Sequence, residues 1–227
     1  MTILLAVILV VAAAEGWVQW RTAQARREAA ALNAKTAATL KPSEDAQAAL
    51  ALGNYLTRLR AQIRDHEVAF QRLRQGALTW HIRDRVEIDR DRKIIQQFLD
   101  TNTRLTDTLQ HGEGLIRAEL ETAKVPPSTR DTALALYAKN QVPILPLQMH
   151  LRQCDETIGK YGLAVLDLLD FNWGSWTRNE ATQKLTFESS ITLGLFQDYV
   201  GKIEAAANER KAAEDQLVDY QRHNPSR

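Results

Sequence analysis

The stretch LGNYLTRLRAQIRDHEVAFQRLRQGALTW, residues 52–80, decides the fold. Leu52, Leu56, Leu59, Ile63, His66, Phe70, Leu73, Ala77 and Trp80 follow one another in alternating steps of four and three. That spacing lines them along one stripe of a helix, the seam by which a long helix packs against others. The intervening positions are mostly charged or polar, as expected of a solvated face.

The same pattern recurs along the chain. Charges crowd and the phase shifts at 82–87, which predicts a break. A second helix then carries Ile88, Ile95, Phe98, Leu99, Leu105, Leu109, Ile116 and Leu120, and stops at Val125-Pro126-Pro127. Ser128 or Thr129 opens a third stretch with Leu134, Leu136 and Tyr137. Val142-Pro143-Ile144-Leu145-Pro146 interrupts it, and Leu147, Leu151, Cys154, Ile158, Tyr161, Val165 and Leu168 resume it. The fourth helix starts at Ser189 or Ser190 and carries Phe196, Tyr199, Ile203, Ala206, Arg210, Ala213, Leu217 and Tyr220. Helices of roughly 35 residues, about 50 Å long, joined by short turns favour antiparallel neighbours. Between the third and fourth, Gly, Asn, Ser and Thr displace the helical pattern. Two β-prone runs at 175–178 and 184–187 predict a small hairpin over about 173–188.

The chain opens on an apolar run, residues 2–14, followed by Glu15-Gly16-Trp17-Val18-Gln19-Trp20 and Arg21. Extension to Trp20 supplies the roughly 30 Å of a bilayer core, with Glu15, Trp17, Trp20 and Arg21 at the membrane interface. A cleaved signal peptide ending near Ala12-Ala13-Ala14 and a soluble buried helix are the alternatives. The expected organisation is an anchor or uncleaved signal at 1–20, a helical stalk at 21–42, a helical bundle at 43–222 and a frayed tail at 223–227. The fold class is therefore all-α: an elongated antiparallel four-helix bundle with an N-terminal membrane helix and a small β-hairpin between helices three and four. Localisation is a single-pass cell-membrane protein. Arg21, Arg26, Arg27, Lys35 and Lys41 put the body in the cytoplasm by the positive-inside rule. A start further upstream, or cleavage as a signal peptide, puts it outside.

Composition narrows the function. The 227 residues hold 29 Lys plus Arg against 28 Asp plus Glu, a balance that speaks against nucleic acid as a partner. With 10 Gly and 6 Pro the chain has too few turn formers for an all-β fold. Arginines at 58, 60, 64, 72, 74, 83, 85, 90 and 92 are interleaved with Asp65, Glu67, Asp84, Glu87, Asp89 and Asp91, a salt-bridged solvent face rather than a phosphate track. The single cysteine, Cys154, stands four residues after His150, a spacing able to present two metal ligands on one helix face. Its place on the seam reads instead as packing. His66, also on the seam, reads as a hydrogen-bonded core histidine or a buried pH-sensing group.

Six residues mark a possible level of helix irregularity and ligand contact: Asn102, Thr106, Gly112, Gly114, Pro143 and Pro146. Breaks in a helical ladder free backbone groups for a ligand, water or neighbouring helix, though kinks that serve packing alone are common. The common motifs of phosphate binding, nucleophilic catalysis and metal hydrolysis are missing from the sequence, so no catalytic, cofactor or metal residue is assigned and an enzyme is not expected. The leading expectation is a non-enzymatic, membrane-tethered helical bundle in protein interaction or cell-envelope organisation. Its partners are the lipid bilayer, through residues 1–20, and another protein or a second copy. The alternative is a small-ligand sensor signalling through a partner protein. Its layout is similar, in architecture only, to the four-helix ligand-binding bundles of bacterial chemoreceptors, from which the chain departs in having no second apolar span after 219–227.

Overall fold

The computed structural model describes residues 43–179 and 184–224. The anchor at 1–20 with Glu15, Trp17, Trp20 and Arg21, the stalk at 21–42, the hairpin turn at 180–183 and the tail at 225–227 lie outside the described residues. Those described are mostly helical, with six α-helices, one 3-10 turn and a two-stranded antiparallel sheet. None of the described helices is long and apolar enough to cross a membrane.

Helix α1 spans Glu44–Gln75. Ser43 caps it, its Oγ accepting from Ala46 N–H at 3.3 Å, and Glu44 and Asp45 complement the positive end of the helix dipole. The helix stops short of the expected seam end. Gly76 leaves it, Ala77–Thr79 form a 3-10 turn, and Trp80 adopts a left-handed conformation with φ 53°. A Cβ at Gly76 would crowd the Arg72 carbonyl oxygen at 3.1 Å, so the absent side chain eases the close of the helix there. The crowded charges at 82–87 are a helix start. Glu87 N–H donates to Asp84 Oδ1 at 2.8 Å, the N-cap bond that opens α2, Arg85–Gln110, and the Glu87 carboxylate reaches back to accept from Arg83 N–H, one residue before the cap, at 2.6 Å.

The second expected helix is divided. His111 leaves helical geometry (φ −101°, ψ 13°) and α3, Gly112–Thr122, follows. It ends in a Schellman turn: Lys124 sits at φ 55°, Val125 N–H reaches Leu120 O at 3.0 Å and Lys124 N–H reaches Glu121 O at 2.9 Å. Buried Val125 and Leu120 supply the usual apolar contact of that motif. Pro127 opens α4, Pro127–Gln141, at the position where proline's missing N–H costs nothing. Helix α5, Leu145–Phe171, tolerates Pro146 in its first turn for the same reason. Strands β1, Trp176–Arg178, and β2, Leu185–Phe187, pair antiparallel in the register Trp176↔Phe187, Thr177↔Thr186, Arg178↔Leu185. Trp176 anchors the hairpin by donating from Nε1 to Leu169 O at 2.9 Å. Ser189 then caps α6, Ser190–His223, through Thr192 N–H.

The described residues fall into two compact units. The first comprises 43–63, 107–148 and 214–224. Its buried residues include Leu52, Tyr55, Leu59, Ile116, Leu120, Leu134 and Leu217. The second comprises 64–106 and 149–213, with a core of Phe70, Leu73, Ile88, Ile95, Phe98, Ile158, Val165, Leu166, Leu169 and Ile203. Most seam positions read from the sequence are buried in one unit or the other.

Candidate functional site

At the seam position of α1 where a hydrocarbon would normally stand, His66 is buried; α2 and α5 meet it with polar groups, and α6 joins through Asp155. Asp155 on α5, with no exposed surface, lies 2.9 Å through Oδ2 from His66 Nε2. Arg152, one turn before it, donates from Nη2 to the same oxygen at 3.0 Å, and Arg210 on α6 donates from Nε to Oδ1 at 2.7 Å. Thr101 on α2 places Oγ1 3.1 Å from His66 Nδ1. Its neighbour Asn102 donates from Nδ2 to Arg152 O at 2.9 Å. Aromatic rings hold two of the polar groups from the side. His66 stacks on Phe98 at 5.1 Å, and the Arg210 guanidinium lies 3.9 Å over the Phe70 ring.

The electrostatics follow from burial and neighbours. Burial works to raise the Asp155 pKa, but Arg152, the His66 hydrogen bond and Arg210 outweigh it and hold the carboxyl at about 2. Burial lowers the pKa of His66. The Asp155 hydrogen bond opposes that shift, while Arg152 and Arg210 reinforce it. His66 is therefore neutral near pH 7, and its contact with Asp155 is a hydrogen bond from Nε2–H to a carboxylate rather than an ion pair.

A hydroxyl rotor is linked to that tautomer. With the proton on Nε2, Nδ1 accepts from the Thr101 hydroxyl; Thr101 Oγ1 also lies 2.8 Å from Phe98 O. One hydroxyl hydrogen serves one acceptor at a time. Protonation of His66 would make Nδ1 a donor and turn the Thr101 hydroxyl to Phe98 O. The order hydroxyl, imidazole, carboxylate is that of a nucleophilic triad, and all three groups are buried. The arrangement fixes which helices meet, and at what level.

The six residues of the expected irregular level are divided between the two units. Asn102 and Thr106 belong to the second unit, whereas Gly112, Gly114, Pro143 and Pro146 belong to the first. Asn102 is buried and Thr106 half-buried; Gly114, Pro143 and Pro146 are exposed. Gly112 is buried beneath two tyrosines. A methyl group there would meet Tyr137 Oη and lie 2.7 Å from Tyr55 Oη. Those hydroxyls are 3.4 Å apart and the rings meet edge to face at 5.9 Å. Asp155 and Arg152 had no signal in the sequence beyond their i,i+3 spacing beside the seam. Arg210 was visible as a charged residue on it.

No protein-family model, curated protein or solved structure matches this chain.

Proposed function

We propose that this chain is a non-enzymatic, membrane-tethered protein whose helices form an antiparallel four-helix bundle, acting in protein interaction or cell-envelope organisation. The observation that carries this reading is the apolar surface around the hairpin. Phe171 is 90% exposed, Ile191 77% and Val86 75%, and Trp173 and Leu195 are also open to solvent. Phe171 and Trp173 lead into the hairpin, while Ile191 and Leu195 share a face of the first turns of α6. The Arg85 guanidinium lies 5.7 Å over the Trp173 ring, which brings neighbouring Val86 to the same end. Large apolar side chains gathered at one end are what a protein contact covers. Residues 1–20 supply the tether to the bilayer and make location part of the role.

Paired C-terminal reporter fusions, one active only outside the membrane and one only in the cytoplasm, test the tether and its side. The full chain should remain with membranes after an alkaline wash. A Phe171→Glu/Ile191→Glu chain should keep its helical spectrum and lose cross-linked partners or self-association. A chain recovered wholly in the soluble fraction, or a double variant with unchanged cross-links, would sink the reading.

A second reading, a small-ligand sensor, draws on buried Asn102, whose Oδ1 has no hydrogen-bond partner among the described residues. A ligand that raises the melting temperature of the full chain and fails to do so in Asn102→Ala would favour it.

A further inference from the structure

His150 and Cys154 stand one turn apart on α5, and α6 brings Glu209 to them. His150 Nε2 lies 3.9 Å from Cys154 Sγ, and one ligand atom from each of the three residues lies within 4.8 Å of the others. All three belong to the second unit. From this geometry we propose that His150, Cys154 and Glu209 bind a divalent transition-metal cation of the zinc class, with the remaining coordination position taken by solvent.

The distances fit. Zinc bonds of about 2.0–2.1 Å to nitrogen, 2.3 Å to sulfur and 2.0–2.2 Å to oxygen place tetrahedral ligand atoms roughly 3.4–3.6 Å apart. The nitrogen–sulfur pair is already close to that separation. Side-chain rotation of about 1 Å closes the rest without moving a helix. The mobility is distributed suitably: Cys154 is buried and fixed by the seam, while His150 and Glu209 are exposed and free to adjust. Imidazole, thiolate and carboxylate together suit zinc, cobalt or nickel, whereas magnesium and calcium prefer oxygen alone. Charge balances as well. The Cys154 S–H bond breaks, its proton passes to solvent and a metal–sulfur bond forms. Thiolate and carboxylate then offset the two positive charges of the cation.

The ligands alternate with the buried cluster along both helices. Cys154 precedes Asp155, and Glu209 precedes Arg210. The cation would therefore clamp, from the solvent side, the same two helices that the Asp155–Arg210 pair joins inside. Binding to the folded state alone raises stability by mass action. The site goes beyond the interaction role proposed above and stands or falls separately from it.

Cobalt(II) is the probe. The full chain, purified without a polyhistidine tag and stripped with a chelator, is titrated with cobalt chloride and then with zinc chloride. Expected are a thiolate-to-cobalt charge-transfer band saturating at one equivalent, its bleaching by zinc, no bleaching by excess magnesium, and a higher melting temperature with zinc. Cys154→Ser should abolish the band while keeping the helical spectrum. His150→Ala and Glu209→Gln, both at exposed positions, should weaken zinc binding by more than the roughly tenfold that loss of an outer-shell partner costs. Absence of the band from the parent chain, an unchanged cobalt spectrum in Cys154→Ser, or unaltered affinity in Glu209→Gln would overturn the assignment and leave Cys154 a packing residue.

Discussion

Asparagine at position 155 would keep the volume of the side chain and remove its charge, so Asp155→Asn isolates the electrostatics of the buried cluster from any cavity effect. The carboxylate accepts from His66 at 2.9 Å, Arg152 at 3.0 Å and Arg210 at 2.7 Å. At an effective dielectric constant of about 20, opposite charges about 4 Å apart attract by about 4 kcal/mol, set against a desolvation cost of several kcal/mol per ion. The pairs are therefore worth little net while complete. Their disruption is costly, because both buried guanidiniums lose the charge of the carboxylate they share. The asparagine carbonyl accepts from one former partner, and its amide hydrogens face donors. The expected loss is about 3–5 kcal/mol of unfolding free energy. At about 2–4 °C per kcal/mol for a chain of this size, the melting temperature should fall by roughly 6–20 °C. Urea unfolding followed by far-ultraviolet circular dichroism measures it, with an unchanged m-value as the check that the same surface is exposed. Combining Asp155→Asn with Arg210→Gln should cost less than the two singly, by a coupling of about 0.5–3 kcal/mol. A loss below about 1 kcal/mol, typical of an exposed ion pair, would show instead that water reaches these charges.

Three further outcomes follow from the same geometry. His66 is held neutral against Asp155 and Arg152 of α5, Arg210 of α6 and Thr101 of α2, with its folded pKa below the unfolded value. The unfolded chain thus takes up a proton below about pH 6.5 that the folded chain refuses. Stability from this group is complete above that pH and declines as pH falls toward the folded pKa, by at most about 1.4 kcal/mol per pH unit. Urea titrations at about pH 7.5 and about pH 5.5 should show this decline, and His66→Gln should flatten it; an equal slope in the variant would refute the neutral assignment. Gly112→Ala should cost about 1–3 kcal/mol by overpacking against Tyr55 and Tyr137 despite alanine's better helix propensity. Adding Tyr137→Phe removes one of the two blocking hydroxyls and should recover part of that loss in a thermal melt. By contrast, Arg117→Ala, which breaks the exposed i,i+4 pair with Glu113 at 3.1 Å, should change stability by no more than about 0.5 kcal/mol.

Features governed by near neighbours were legible in advance. The seam of α1 follows from the spacing of Leu52 through Leu73, and the hairpin runs at 175–178 and 184–187 enclose the observed strands. The charges at 82–87 mark both a break and a helix start. Asp84 and Glu87 have the spacing of a capping box, so the segment that reads as a break is also the start of the next helix. Trp80 fits the seam by spacing, yet the helix ends at Gln75 and Trp80 takes the left-handed conformation after the 3-10 turn.

Both candidate sites depend on partners that the chain brings together from afar. His66 and Asp155 are 89 residues apart, and Asp155 and Arg210 are 55 apart. From sequence, His66 is an oddity on an apolar stripe and Asp155 an acidic residue beside one. Their meaning comes from being buried together, where a charge is tolerable only with its counter-charges in hydrogen-bonding range. Glu209 shows the same dependence. The His150–Cys154 pair was visible as a one-turn spacing, but the third donor comes from another helix. Sequence alone determined the helices, their apolar stripes and most of their ends, because periodicity and capping act over a few residues. Tertiary structure decided which polar residues face one another, because helix packing brings together side chains whose separation along the chain says nothing of their distance in space.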